Sequence, residues 1–327
     1  AYLIDDGLDP AEGGKVRAEL RDCVRAWILF GGYGGRTRRG LGSLTVVSDV
    51  DSWLPKAATP EAINRLFARN VFAPSQVSAD PQVPRLNGAE LRVVGPAGDA
   101  HTAWTVAVDR LREFRQGVES GARRRGHPEG WEPRRPGVSN WPEPDKVRLL
   151  APVRHQPWSH PPRHNGTAGW PRAGFGLPIV GRFQTRRRQG DLQGGRYVEP
   201  DDYRLTWKGS DGELRDRMAS PLILKALALA DGRYVPVALW LERDDPPGGR
   251  MVLCFGSTER AGSEVSFGAP LVAPGDRCDF PPIVGKPSLR RAFCDWLSER
   301  ADPPRNQGRD RHLDGGTRMR RRGGPNQ

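Results

Sequence analysis

Four stretches of the chain place apolar side chains at the spacing of an amphipathic helix. The first spans residues 16–29, the second begins behind the capping hydroxyl of Thr59, and the last follows Ser288. In each, the apolar positions recur every three or four residues and fall on one face, which predicts four helices. These positions are Val16, Leu20, Val24, Trp27 and Ile28; Ile63, Leu66 and Phe67; Trp104, Val108, Leu111 and Phe114; and Leu289, Phe293, Trp296 and Leu297.

Short apolar runs between these helices predict strands, because each has the length and composition of a single strand. Helices that alternate with short strands indicate an α+β fold. The predicted strands are residues 1–4, 44–47, 91–94, 235–241 and 251–255.

The apolar pattern also divides the chain. Periodicity disappears over residues 121–170, where Pro, Gly, Arg, His and Trp dominate, and residues 301–327 contain few apolar side chains. We interpret 1–120 and 171–300 as two domains, 121–170 as a Pro/Arg-rich loop or linker, and 301–327 as a disordered basic tail.

Length and cysteine content set broad limits. The chain has 327 residues, enough for two domains with a sizeable core. No apolar run reaches transmembrane length, so we expect no membrane contact. The four scattered cysteines form no C-x-x-C pair, which argues against a zinc site or a disulfide framework and favours a cytoplasmic location.

The charge is basic and unevenly distributed. The net charge is +12, and of the 51 basic residues only six are lysine. A GC-rich genome would also enrich arginine, so the position of the charges is more informative than their number. Residues 121–190 carry 14 basic and 4 acidic side chains, and such an excess attracts a polyanion.

The candidate chemistry is concentrated in a loop at residues 31–42, between the first helix and the first internal strand. It contains six glycines and three arginines: Gly31, Gly32, Gly34, Gly35, Gly40 and Gly42, with Arg36, Arg38 and Arg39. Glycine allows a close backbone approach and positive φ, so that Gly31 could end the helix, and arginine matches phosphate oxygens. Leu41 stands where a Walker A loop needs lysine, and Thr37 breaks the G-x-G-x-x-G pattern. The loop therefore suits phosphate contact without nucleotide hydrolysis; the alternative is a flexible basic loop that contacts nothing.

A second candidate segment lies at residues 136–148. Ser139 precedes Trp141, which offers a stacking face for a base, and Arg148 offers a charge that Glu143 and Asp145 could orient. The alternative is a structural turn with Trp141 in the core.

Three histidines, His155, His160 and His164, raise the question of a metal site. No thiolate lies near them and no predicted helix spaces them. We interpret them as part of a polar loop and predict neither a metal nor a cofactor.

The order helix, glycine-rich loop and strand resembles the RAMP superfamily of CRISPR effector proteins. The pattern G-G-x-G-x-R-x-R-R-G-x-G-S is most similar to the large two-domain RAMP subunit of type III-B (Cmr) complexes. Three further segments, 136–148, 175–179 and 217–222, resemble the G-R-S-x-W-P-E-x-D-x-I-R, F-G-L-P-I and R-x-A-S-P-L segments of that subunit. Val138 departs from it, because the family has arginine there.

The resemblance implies two ferredoxin-like (RRM-like) domains, the first incomplete because a first strand and helix precede this point in the family. It implies a non-catalytic subunit near the 3′ end of the guide RNA, with guide RNA, target RNA and other RAMP subunits as partners. RNA contacts would come from the glycine-rich loop with Ser139, Trp141, Arg148 and Arg217. With part of its cover missing, the first helix would expose apolar surface, and we expect the chain alone to be unstable.

Two other functions remain open. A metal-independent endoribonuclease that processes guide RNA would need a general base such as histidine near the RNA 2′-hydroxyl, and His101 is the histidine nearest the loop in sequence. A purely architectural subunit would use the same loop to bind protein neighbours.

Overall fold

The computed structural model describes residues 9–74, 83–116, 139, 141–152, 164, 169–183, 199–215, 217–278 and 280–301. The helices are α1 (Pro10–Phe30), α2 (Val50–Trp53), α3 (Pro60–Phe67), α4 (Ala100–Gln116), α5 (Glu143–Leu150) and α6 (Leu289–Ala301). The strands are β1 (Arg85–Val93), β2 (Ile179–Gly181), β3 (Tyr203–Lys208), β4 (Leu214–Arg215), β5 (Leu222–Ala228), β6 (Tyr234–Glu242), β7 (Arg250–Phe255), β8 (Thr258–Glu259) and β9 (Val265–Ser266). The α+β class is thereby confirmed.

The first sheet has three antiparallel strands in the order β1-β6-β5. It combines a strand from residues 1–120 with two strands from residues 171–300, so the predicted domain boundary does not coincide with a boundary between sheets. The second sheet is also antiparallel, with the order β2-β3-β7-β8; β4 pairs with β3, and β9 pairs with β7.

Successive side chains along a strand point to opposite faces of the sheet. In the first sheet, both of these faces are covered by apolar side chains. On one face, Leu224 and Trp240 pack with Phe114 of α4 and Phe293 of α6. On the other face, Ile223 and Leu239 pack with residues of α1 and α3, Leu29 and Ile63 among them. The sequence of a strand that is buried on both faces is apolar throughout and does not alternate between apolar and polar residues. Lys225 is the exception, as described below.

Two helix boundaries follow from local signals. The Thr59 hydroxyl accepts a hydrogen bond from the Ala62 amide at 3.2 Å and caps α3. The Ser288 hydroxyl accepts from the Arg291 amide at 3.2 Å at the start of α6. These two predicted helices are confirmed, as are α4 and the strands at 91–94, 235–241 and 251–255.

Three features differ from the sequence-based expectations. Residues 44–47 form no strand, and Val47 is 96% exposed. Gly31 is outside the left-handed region; within the loop, Gly34, Gly40 and Gly42 have positive φ instead. In α4 the deeply buried positions are Ala103, Ala107, Leu111 and Phe114, whereas Trp104 and Val108 are half-buried. The predicted strand at 1–4 and the predicted tail lie outside the described residues, apart from the last residue of α6.

Helix α1 packs on the first sheet only through its carboxyl-terminal part. Leu29 and Phe30 are buried, whereas Val16, Leu20 and Trp27 are 43–48% exposed. The apolar stripe predicted from periodicity therefore exists but is uncovered along most of the helix. Among the described residues, no helix is both long and apolar enough to cross a membrane.

Candidate nucleic-acid interface

A buried lysine fixes the point where α1 ends and the glycine-rich loop begins. Lys225, in the middle of β5, is 2% exposed, and its Nζ donates to the carbonyl oxygens of Ile28 at 2.5 Å and Gly31 at 2.9 Å. A cation at this position complements the negative end of the helix dipole. Burial lowers the pKa of Lys225 to about 8. Sequence analysis missed this residue, although a single lysine within the apolar run Leu222–Ala228 is an unusual feature.

The loop closes on itself at its base. The amide of Tyr33 donates to the carbonyl oxygen of Gly42 at 2.8 Å. Gly42 has a φ of +67°, and a Cβ atom placed there would lie 1.9 Å from the Tyr33 oxygen. The Trp27 indole donates to the Gly32 carbonyl at 3.1 Å. Only glycine fits at Gly42, so this loop has a backbone shape that its sequence specifies.

The far side of the loop is held against the first sheet. The Trp104 indole on α4 donates to the Arg39 carbonyl oxygen at 2.7 Å. A Cβ atom at Gly40 would lie 2.9 Å from the Leu224 carbonyl oxygen on β5. The loop thus contacts a helix and a strand of the core.

The three arginines of the loop have different environments. Arg36 is exposed, in a left-handed conformation with φ of +61°, whereas Arg38 and Arg39 are the last two residues of a half-buried 3₁₀ turn, Thr37–Arg39. The Nη1 atoms of Arg38 and Arg39 are buried and have no hydrogen-bond partner among the described residues. Burial lowers the pKa of both guanidiniums, that of Arg39 to about 10 with a further contribution from the charge of Arg115. Such donors are short of an acceptor, which an anion would supply.

The second segment belongs to the core. Trp141 is 1% exposed, and its ring centroid lies 5.7 Å from that of Phe114 and 4.8 Å from that of Phe280. The Ser139 hydroxyl accepts from the Trp141 amide at 3.1 Å. The prediction that Trp141 stacks on a base is therefore wrong, since the ring is buried among other aromatic side chains, and Ser139 has a local structural contact.

Arg148 is also buried, so its predicted RNA contact is wrong. Its Nη1 lies 2.7 Å from the Asp145 carboxylate, and its Nε lies 2.7 Å from the Glu199 carboxylate. A guanidinium that is 5% exposed between two carboxylates cannot reach a phosphate. Asp145 orients Arg148 as predicted, but Glu143 pairs with Arg172 instead.

Of the three candidate metal-binding histidines, only His164 lies within the described residues. Its Nδ1 lies 2.9 Å from Asp145 Oδ2, and it is 3% exposed. Burial acts to lower the pKa of His164, but interactions with Asp145 and the Cys278 thiol outweigh it and raise the pKa to about 9. The described residues include no cluster of three or more metal-ligating side chains.

The segments at 175–179 and 217–222 meet in space. Leu177 and Met218 exchange backbone hydrogen bonds of 3.0 and 2.9 Å. Arg217, predicted to contact RNA, is exposed beside this bridge. The structure therefore brings together two segments that are about 40 residues apart in sequence.

A scan against protein-family models found no match for this chain, and searches of curated proteins and of solved structures found no significant match.

Proposed function

We propose that this chain is a non-catalytic, RNA-binding RAMP subunit of a type III-B CRISPR interference complex. The chain would form two ferredoxin-like domains. Its glycine-rich loop would contact the phosphates of guide or target RNA, and its other surfaces would pack on neighbouring RAMP subunits. The observation that carries the proposal is the loop itself, which is clamped at its base and on its far side while two of its arginines hold buried, unsatisfied donors.

Electrostatics support this proposal. A phosphate that reached Arg38 and Arg39 would meet guanidiniums that are already partly removed from water, where a charge-assisted hydrogen bond is stronger than at an exposed site. The exposed Arg36 would add a contact of ordinary, salt-sensitive strength. Nothing in the loop reads base edges, so sequence specificity would come from base pairing of the guide.

The exposed apolar stripe of α1 supports the proposed partners. Val16, Leu20 and Trp27 leave an apolar strip along a helix. Contiguous exposed apolar surface is typical of a protein contact. We propose that a neighbouring subunit covers it.

Replacing Arg36, Arg38 and Arg39 together by alanine should weaken binding of single-stranded RNA similarly for different sequences. Each lost phosphate contact should reduce the slope of log K against log[salt] by about 0.7. Filter binding at several salt concentrations measures both quantities. The matched control replaces Arg112, Arg233 and Arg291, three surface arginines paired with aspartates. If both triple variants lose affinity equally, the loop is not the RNA site.

One observation favours the endoribonuclease as a second candidate. The His101 ring centroid lies 6.0 Å from that of Trp104, and the Trp104 indole donates a hydrogen bond to the Arg39 carbonyl oxygen of the loop. This exposed imidazole is therefore near the proposed RNA site in space.

Our first proposal predicts that the purified chain leaves RNA intact over hours, with or without divalent metal. Specific cleavage that disappears in His101→Ala would favour the enzyme instead.

A further inference from the structure

A cavity of about 360 Å³ lies beside the glycine-rich loop, where three arginines from separate elements meet. Arg39 comes from the loop, Arg115 from the end of α4, and Arg172 from a 3₁₀ turn at Pro171–Phe175. The volume is in the range of small-ligand sites. Much of the remaining lining is apolar, with Phe175, Leu177, Pro178 and Met218, and Ser220 is also part of it.

The cavity has more positive than negative charge. Arg172 is paired with Glu143, whose Oε1 accepts from the Arg172 amide at 2.7 Å and whose Oε2 lies 3.4 Å from Arg172 Nε. Neither Arg39 nor Arg115 forms an ion pair with a described residue, and Arg39 Nη1 is buried without a hydrogen-bond partner. The described residues that line the cavity include no carboxylate. Three guanidiniums therefore face one nearby carboxylate, which is 2% exposed.

Mutual repulsion among the arginines agrees with this imbalance. Burial lowers the pKa of Arg115 and the charge of Arg172 lowers it further, whereas the nearby Glu143 carboxylate acts in the opposite direction. The Arg115 guanidinium also lies 6.0 Å from the Phe175 ring, so a charged group and an aromatic face border the same space. An anion with an apolar part would satisfy both features of the lining.

We propose that this cavity binds one nucleotide, with its phosphate on Arg39 and Arg115 and its ribose or base against the apolar lining. A free nucleotide and a nucleotide of an RNA strand share this chemistry. The inference rests on the proposed function in one respect, because Arg39 belongs to both sites. It adds a defined site for one nucleotide behind the loop, to which Arg36 does not contribute.

The test uses isothermal titration calorimetry on the full chain with uridine monophosphate, inorganic phosphate and uridine as probes. The nucleotide should bind at least about tenfold tighter than either fragment, since both parts of the cavity contribute. Arg115→Gln should weaken nucleotide binding at least about tenfold, and Arg115→Lys should have an intermediate effect because lysine lacks the planar fork. Arg112→Gln, on the same helix but paired with Asp109 outside the cavity, is the matched control and should not change the affinity.

Several results would overturn the proposal: no nucleotide binding, equal affinity for nucleotide and inorganic phosphate, or equal losses in Arg115→Gln and Arg112→Gln. A thermal melt that matches the unmodified chain shows that each variant is folded.

The outcome also separates the two proposals. Nucleotide binding that depends on Arg115, together with RNA affinity that is unchanged in the loop triple variant, would support the cavity and reject the RNA site. RNA binding that depends on the loop without nucleotide binding would reject only the cavity.

Discussion

Replacing Gly42 by alanine should disrupt the glycine-rich loop and lower RNA affinity at least about tenfold. The new Cβ atom would lie 1.9 Å from the Tyr33 carbonyl oxygen, and the residue would have to keep a φ of +67°. Neither the clash nor the strained backbone can be relieved without opening the base of the loop. Residues held in such conformations cost roughly 1–3 kcal/mol, and the lost hydrogen bond from Tyr33 adds about 1 kcal/mol. The effect should be visible in urea-induced unfolding and in RNA filter binding.

The matched control for this variant is Gly35→Ala in the same loop. Gly35 is exposed, lies outside the left-handed region, and a Cβ atom there would meet nothing within 4 Å. Its stability should stay within about 0.5 kcal/mol of the unmodified chain, with unchanged RNA affinity. Similar affinities in the Gly42 and Gly35 variants would mean that the closed shape of the loop does not matter for binding.

Lys225→Met should destabilise the junction of α1 and the loop by roughly 2–3 kcal/mol. The substitution keeps the length of the side chain but removes the donor that satisfies the carbonyl oxygens of Ile28 and Gly31. Those two carbonyl oxygens would either stay buried without a donor or become exposed to water, which would require the loop to move with them. Relief of the desolvation of the ammonium group offsets part of this cost. Urea-induced unfolding measures the change in the free energy of unfolding.

The pH dependence of stability provides a specific signature of Lys225. Its pKa in the folded chain is about 8, whereas an unfolded lysine titrates at roughly 10.4. Between these values the unfolded chain binds more protons than the folded chain, so stability contributed by this group rises with pH. The unfolding free energy of the unmodified chain, taken relative to that of Lys225→Met, should therefore rise between pH 8 and pH 10.5. A difference that is constant over this range would show that burial does not lower the pKa of Lys225 in the folded chain. Leu227→Met, on the same strand and equally buried, is the control for altered packing.

The elements that were predicted correctly are those with strong local signals. Helices α3 and α6 begin at a hydroxyl that caps the first turn, and their apolar positions repeat at helical spacing. Strands β6 and β7 are apolar runs that stay buried almost throughout. The predicted strand at 44–47 was wrong because a strand needs a partner with which to share backbone hydrogen bonds. Within the part of the chain that the structure describes, no strand pairs with residues 44–47, and Val47 faces solvent.

The candidate site was predicted only in part, because residue type does not determine environment. Arginine and tryptophan suit RNA contacts, yet Trp141 lies among aromatic core residues and Arg148 lies between two carboxylates. The glycine-rich loop was found because glycine and arginine in one short stretch have few purely structural reasons to occur together. Arg115 and Arg172 went unnoticed as site residues, since nothing in their local sequence distinguishes them from the other arginines of the chain.

The sequence by itself determined the α+β class, the periodic helices and a loop whose glycines and arginines suit phosphate, since propensity, periodicity and backbone freedom are local properties. The tertiary structure alone decided which charges are buried together. Lys225 reaches the end of α1 across 194 residues of chain, and Arg39, Arg115 and Arg172 meet at one cavity although they lie on three separate elements. Burial and charge interaction depend on distances in space, and packing of the whole chain sets these distances.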